Sequence, residues 1–391
     1  MAQTVVAAGA TNTSPALRIG SLGSPRAVKR WSGFLANDVG RRSYFTSRYM
    51  GKGEDTTMPI MQMTDLESDA GEEIGFDLNV QLRMSPVEGD EVLENKEEDL
   101  TFYTDSVSIN QARGGVNTGG RMTRKRTLHD LRKLARKRQG EWWARVFDEL
   151  FFIYLAGKSE ATTTNMNKFT NTEYIFPVGY AGFASNPVTA PDTDHVIWGG
   201  SATTEASLSA SHDFNLDLID KAVAKVSTIG GDGSTAGLVE MNPVMVDGGE
   251  YFVAVLHPWQ VYDMRKDINT GEWLDIQKSL LSGGAKDSNI GKGALGMHNG
   301  VVMQEHKAIP KATTTGAVTA ASGLFLGAQA GCLAFGTSGT GLRFGWHEET
   351  RDNGNQVVIS THSIFGLKKT TFNSADFGNI VLNTAVSDPN A

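Results

Sequence analysis

An α+β fold is the class this sequence predicts, and three observations carry the prediction. Residues 72–83 alternate, with Phe76, Leu78, Val80 and Leu82 on one face; a period of two marks a strand with one side buried. Residues 127–156 follow a helical pattern instead, enough for one helix of about 43 Å. Further along, apolar runs such as Tyr251 to Leu256, Val301 to Met303 and Leu324 to Leu326 alternate with helical stretches, the mixture an α+β chain shows. The 44 glycines among 391 residues also suit turns and strands better than a helical bundle.

Composition narrows the function classes. The single cysteine, Cys332, leaves no internal disulfide framework and no cysteine-rich zinc site, and fits a reducing compartment. It reads as a small core residue. No apolar run approaches the roughly 18–20 residues that span a bilayer, so no membrane partner is expected. Met1 to Val6 lacks a basic stretch before a long apolar core, so no secretory signal is expected. The net charge of −8 conceals three blocks. Residues 1–60 hold eight Lys/Arg against three Asp/Glu, residues 65–105 hold fourteen acids against two bases, and residues 121–138 hold nine bases against one acid. Opposite signs on successive segments predict surfaces that meet, within one chain or between copies.

In chain order, residues 1–60 lack sustained periodicity, and Ala, Gly, Ser and Thr dominate the start. Aromatic residues interleave with arginines, which predicts an extended arm lying across other surfaces through Arg41, Arg42, Tyr44, Phe45 and Arg48. Its first fifteen residues are expected to be free in solution. A short apolar stretch, Met58 to Met63, leads into an acidic hairpin with strands at 72–83 and 100–109. The tip, Pro86 to Asp99, carries seven acids: Glu88, Asp90, Glu91, Glu94, Glu97, Glu98 and Asp99. Two strands alone are marginal in water, so the ribbon must lie on something, and its tip needs a basic partner surface or stays mobile.

Thr127 is the predicted N-cap of the long helix, which a basic run approaches. Arg121, Arg124, Lys125, Arg126, Arg132, Lys133, Arg136 and Lys137 make its first part a surface for nucleic-acid phosphates, for a neighbour's acidic hairpin, or for water alone. The second half is apolar: Trp143, Phe147, Leu150 and Tyr154 share one face, with Trp142, Val146 and Ile153 beside them. Gly140, between the halves, permits a slight bend. Residues 157–212 are rich in Thr, Ser, Asn, Ala and Gly and read as a loop-rich insertion. A helix is expected over 214–229, capped by Asp213 and stopped by Gly230-Gly231-Asp232-Gly233. His257-Pro258 breaks the strand before it, and a short helix follows at 259–266. Near the end, Leu342 to Thr350 and Gln356 to Phe365 flank Asp352-Asn353-Gly354-Asn355, a strong hairpin signal, and Ile380 to Leu382 is a last strand.

No active site assembles from these letters. Gly291-Lys292-Gly293-Ala294-Leu295-Gly296 has GxGxxG spacing, but neither a strand before it nor a helix after it, so it reads as a glycine-rich loop. Asp192-Thr193-Asp194-His195 reads as a polar loop rather than a cation site, and His298 and His306 have no ligand spacing. No catalytic, cofactor-binding or metal residue is assigned, and no cofactor is expected.

The order of parts, an arm, an acidic hairpin, a basic-then-apolar helix, an α+β body and a returning strand pair, resembles the major capsid proteins of tailed double-stranded DNA phages, with the Hong Kong 97-type fold. Met61 to Gly71, Arg121 to Lys133 and Glu141 to Leu155 resemble more closely the major capsid protein family of N4-like phages; His257-Pro258-Trp259-Gln260 and the segment to Pro310 fit more loosely. The resemblance implies an N-terminal arm (1–60), an extended acidic hairpin loop (61–113) and a peripheral domain (114–212) holding the spine helix 127–156 and the insertion 157–212. It further implies an axial domain (213–335) and C-terminal strands (336–391) returning to the peripheral domain. The implied function is a non-enzymatic shell subunit, forming hexamers and pentamers with itself in an icosahedral capsid. Packaged double-stranded DNA, touched non-specifically, and portal and scaffold or decoration proteins are the other implied partners. Its place would be the virion, after assembly in the bacterial host cytoplasm. Two rival readings stand beside it: an enzyme built on the glycine loop, and a nucleic-acid-binding protein using 121–138, which predicts a steep salt dependence of DNA binding by the isolated chain.

Overall fold

Two sheets share one long helix in the computed structural model, which describes residues 25–67, 71–79, 82, 84–100, 102–158, 175–176, 179–229, 239–246, 248–267, 276–278, 290–291, 293–313, 318–337 and 342–389. The expected free start of the arm and Lys292 of the glycine-rich loop lie outside the described residues, as do residues 159–174 near the start of the insertion and the helix stop expected at 230–233. Chain order begins with helices α1 (Pro25–Arg42) and α2 (Tyr44–Arg48), then strands β1 (Met50–Lys52), β2 (Ile60–Met63), β3 (Glu73–Asn79), β4 (Phe102–Ser108) and β5 (Asn110–Asn117). Helices α3 (Arg121–Arg126) and α4 (Leu131–Ala156) follow.

The arm is therefore helical from Pro25, not extended. Leu35 and Val39, one turn apart, are buried, and the remaining support comes from far along the chain. Trp31 stacks on Trp346 at 5.7 Å, and Arg42 pairs with Glu141 at 2.8 Å. Gly140 sits where α1 packs on α4: a Cβ there would lie 3.3 Å from the Asp38 Cβ, so the glycine serves close approach of two helices.

The break between α3 and α4 moves the expected cap. Asp130, not Thr127, opens the long helix, accepting from the backbone N–H groups of Arg132 (3.2 Å) and Lys133 (3.3 Å). Thr127 instead ends α3, its hydroxyl donating back to the Thr123 carbonyl. At the far end Gly157 takes the left-handed conformation (φ 66°) that closes a helix. Trp143, Phe147, Leu150 and Tyr154 are all buried.

The second half supplies β6 (Val196–Trp198), α5 (Leu216–Thr228), β7 (Gly249–Leu256), α6 (Pro258–Asp267), β8 (Gly296–His298), β9 (Val301–Glu305), β10 (Thr319–Leu326), β11 (Gly331–Gly336), β12 (Phe344–Arg351), β13 (Gln356–Lys369) and β14 (Asn379–Ala385). Asn215 caps α5 through the Leu218 N–H, in place of the expected Asp213. Gly296 opens strand β8, so no helix follows the GxGxxG letters, and the dinucleotide geometry is absent among the described residues.

One sheet runs β1-β2-β11-β13-β12, with β5 on the remaining edge of β13. Strand β13 pairs with β12 through Ser363 and with β11 from Ile364, while β5 covers Val358 to Phe365. Its hairpin closes at Arg351↔Gln356 as the turn letters predict, with Asp352, Asn353 and Gly354 at φ 53°, 47° and 82°. The other sheet runs β8-β9-β7-β10-β14-β6, with Val244–Val246 on β7 and Lys311–Thr313 on β10. The segment 336–391 thus divides: β12 and β13 join the first sheet, but β14 pairs inside the second. Strand β11, in the range assigned to the axial part, belongs to the first sheet. Long-range pairing decides sheet membership, and strand letters alone carry no partner. Trp143 and Phe147 from α4 join one core with Leu333, Phe365 and Leu367 of the first sheet and Val253, Leu324 and Val381 of the second.

Candidate assembly surfaces

The acidic ribbon has a fixed root and a bare tip. Strands β3 and β4 pair only with each other, from Glu73↔Ser108 to Asn79↔Phe102. Near the root, Ile74, Phe76 and Val107 are buried against Met61, Leu66, Cys332 and Phe372. Leu78 is half-buried, while Leu82, expected on the same buried face, is exposed; Val80 lies outside the described residues. The ribbon leaves the body between them. Polar groups clamp the root: Asp105, nearly buried, pairs with Lys368 and accepts from the Thr371 N–H at 3.1 Å. Asn186, from the insertion, exchanges hydrogen bonds with the Ser108 backbone at 3.0 and 2.8 Å. Burial pushes the Cys332 thiol in this root up to about 12, so it stays an unionised core residue.

All seven tip acids are exposed. Glu91 pairs with Lys96, and Glu98 accepts from the Met84 N–H at 2.7 Å. Glu88, Asp90, Glu94, Glu97 and Asp99 make no ion pair among the described residues.

The basic segment is only partly available. Arg132 grips Glu348 with two bonds of 2.6 Å, and the Glu348 side chain is almost wholly buried. Arg136 pairs with Asp38 at 3.5 Å and lies over the rings of Trp31 and Phe34. Arg124 donates to the Asn355 carbonyl at 2.9 Å, and Arg138 pairs with Glu141 at 2.8 Å. Arg132 and Arg136, predicted to face a neighbour or DNA, are thus held within the chain; their partners lie on α1 and β12, which no local pattern connects to α4. Lys133 approaches Asp130 at 3.6 Å on the surface. Arg121, Lys125, Arg126 and Lys137 are exposed and make no ion pair among the described residues.

The arm residues also turn inward. Phe45 is buried, and Tyr44 donates to Gln304 Oε1 at 2.8 Å, as does Arg48 at 3.1 Å. Arg41 is exposed. Asp148 of α4 caps this corner, accepting from the Ser43 hydroxyl (2.8 Å) and the Tyr44 (2.9 Å) and Phe45 (3.3 Å) N–H groups. Next to it Glu149 accepts from the Ile175 N–H at 2.6 Å, fastening the insertion to α4. Two adjacent carboxylates on a helix interior carry no signal in the sequence; their letters look like a solvated face.

Burial pushes Asp148 up to about 6 and Glu149 up to about 7, against the pull of the donated hydrogen bonds. Each folded pKa then lies above its unfolded value near 4, so the folded chain holds protons the unfolded chain releases. The stabilisation is complete below that unfolded value and is lost as pH rises through about 6 to 7. Asp148→Asn with Glu149→Gln is expected to flatten the fall in melting temperature between pH 5 and pH 8; an unchanged slope counts against these two groups as its source.

No group of three or more metal-ligating side chains occurs among the described residues, and none of their helices is long and apolar enough to cross a membrane. His195 lies buried beside Asp192 at 3.8 Å, and burial lowers its pKa against the pull of the nearby acids.

The family model for phage capsid proteins matches residues 19–388. The major capsid protein of Pseudomonas phage KPP25 is 28% identical over 372 residues, covering 89% of this chain and 92% of that protein. Among solved structures, the capsid of Ralstonia phage GP4 aligns with a TM-score of 0.80 at 39% identity, over 95% of this chain and 98% of that chain. The capsid asymmetric unit of cyanophage Pam1 shares the fold, with a TM-score of 0.63 at 19% identity over 88% and 93% of the two chains. The architecture is the Hong Kong 97-type fold of tailed-phage capsids, and the chain belongs to the phage capsid protein family.

Proposed function

We propose that this chain is the major capsid protein of a tailed phage, a non-enzymatic subunit that assembles with copies of itself into the virion shell. The carrying observation is the match to the Ralstonia phage GP4 capsid, at 39% identity over nearly the full length of both chains. In this reading hexamers and pentamers close an icosahedral shell around double-stranded DNA, in the host cytoplasm, with portal and scaffold or decoration proteins as further partners. The 61–113 loop reaches a neighbour, the sheet around β13 with α4 forms the peripheral part, and the sheet around β7 forms most of the axial part. Individual contacts of modest strength suffice, because each subunit is held by many at once. The DNA-binding rival loses ground because Arg124, Arg132, Arg136 and Arg138 are engaged within the chain.

Size exclusion and negative-stain imaging of the purified full chain test the reading; shells or capsomers are expected, and a persistent monomer would count against it. Reversing Glu94, Glu97 and Glu98 to lysine is expected to impair assembly while leaving the subunit folded, since the three side chains are exposed and the Glu98 bond to the Met84 N–H lies on the surface of the loop. Shells at normal yield would remove the acidic tip from the interface.

A further inference from the structure

A cavity of about 390 Å³ opens where α4 meets the second sheet, between Arg145, the start of α6 and the connection from β9 to β10. That is the size of a small-ligand site. Its rim is cationic, with Arg145 on α4, Lys307 just after β9 and Lys311 before β10. Lys307 is exposed and makes no ion pair among the described residues. The Lys311 ammonium sits 4.4 Å from the centre of the Trp259 ring, which forms part of the wall.

The inner wall adds two neutral donors. His257, only 4% exposed, accepts the Trp259 N–H on Nδ1 at 3.2 Å. His306 accepts the Ala308 N–H on Nδ1 at 3.2 Å and stacks on Phe152. Burial, with Lys311 close by, pushes His257 down to about 4; burial, with Lys307 and Arg48 close by, does the same to His306. A neutral ring whose Nδ1 accepts carries its proton on Nε2, and neither Nε2 has a hydrogen-bond partner among the described residues. The two carboxylates in the wall are already committed. Asp148 serves Ser43, Tyr44 and Phe45, and Glu149 serves the Ile175 and Phe176 N–H groups, with Arg145 3.7 Å away. Donors around a concave space whose own acceptors are occupied call for a guest that only accepts.

We propose that this cavity binds a phosphate group, free or as a small phosphomonoester, between Arg145, Lys307 and Lys311 at the rim and the Nε2–H groups of His257 and His306 inside. Five donor-bearing side chains exceed what the two oxygens of a carboxylate or a backbone phosphodiester can accept, and suit the three terminal oxygens of a phosphomonoester. Bonds in which one partner is ionised are also the stronger ones. Helix α6, ten residues long, starts at this wall, so the positive end of its dipole favours the same charge. The site lies within one chain and is independent of the shell-subunit reading.

Equilibrium dialysis of the purified full chain against labelled inorganic phosphate and labelled adenosine monophosphate tests this, with melting temperature as the folding check. Saturable binding of at least one is expected, and whichever binds names the source of the phosphate; adenosine should not compete. Lys307→Glu is expected to weaken binding about tenfold with the melting temperature unchanged, because that side chain is exposed and unpaired. Lys311→Met, which keeps the stem beside Trp259 and removes the charge, is expected to weaken it by about the same factor. No saturable binding of either probe, or unchanged affinity in either variant, overturns the site. Equal displacement by a glutamate-rich peptide at matched ionic strength overturns the preference for phosphate. An oligonucleotide without terminal phosphates that binds through the same two lysines, while adenosine monophosphate does not bind, overturns the phosphomonoester in favour of a nucleic-acid backbone.

Discussion

Trp143→Ala is expected to leave the subunit largely unfolded under conditions where the parent chain is native. The side chain is fully buried at the centre of α4. Its ring meets Phe344 edge-on at 5.4 Å and Phe365 at 6.3 Å, and its indole N–H donates to the Thr361 hydroxyl at 2.8 Å. Truncating a buried aromatic residue costs about 3–5 kcal/mol, and orphaning the fully buried Thr361 hydroxyl adds about 1–3 kcal/mol. Against a total margin of roughly 5–15 kcal/mol, that is a large fraction. Trp143→Phe separates the two contributions, since it keeps an aromatic ring and loses the hydrogen bond. Urea unfolding should rank parent, Phe variant and Ala variant in that order; an Ala variant with the parent's midpoint would mean that α4 does not pack on β13 as described.

Features set by local chemistry were legible in the sequence. The β12–β13 hairpin follows from Asn353-Gly354, because few other letters accept two successive positive φ angles. The buried half of α4 follows from the spacing of Trp143, Phe147, Leu150 and Tyr154, and the root of the acidic ribbon from its alternation. Features set at a distance were not. Helix α1 carries two glycines, and its order depends on Trp346 and on α4. The cap of α4 went to the wrong one of two good capping residues, Thr127 and Asp130, because the chain breaks between them. For the surfaces, charge signs could be read from composition, but not which arginines find a carboxylate inside the chain. Glu348 and Asp38 decide that, and both are remote from 121–138 in sequence.

Lys369→Met is the second substitution expected to act strongly, and comparison with its neighbour shows why. Lys368 and Lys369 are consecutive in β13, so their side chains point to opposite faces. Lys368 is partly exposed and holds Asp105 at the root of the acidic ribbon, where Thr371 N–H also serves the carboxylate. Lys369 is only 2% exposed; it bonds Asp376 at 2.8 Å and the carbonyls of Thr189 and Ala190 at 3.3 and 3.4 Å. Burial lowers its pKa and the Asp376 charge opposes that, so the pair holds the ammonium in place. Removing the lysine leaves a buried carboxylate with the Asp192 N–H, at 3.3 Å, as its remaining hydrogen-bond donor among the described residues. Breaking a buried pair on one side costs about 3–5 kcal/mol, whereas replacing both partners with apolar groups is often close to neutral. Lys369→Met alone should therefore shift the urea midpoint far more than Lys369→Met with Asp376→Leu. Lys368→Met should shift it least, yet raise hydrogen exchange across 102–108, because it loosens the ribbon rather than stranding a charge. A double variant as unstable as the single one would locate the penalty in the unmet Thr189 and Ala190 carbonyls instead of in the orphaned carboxylate.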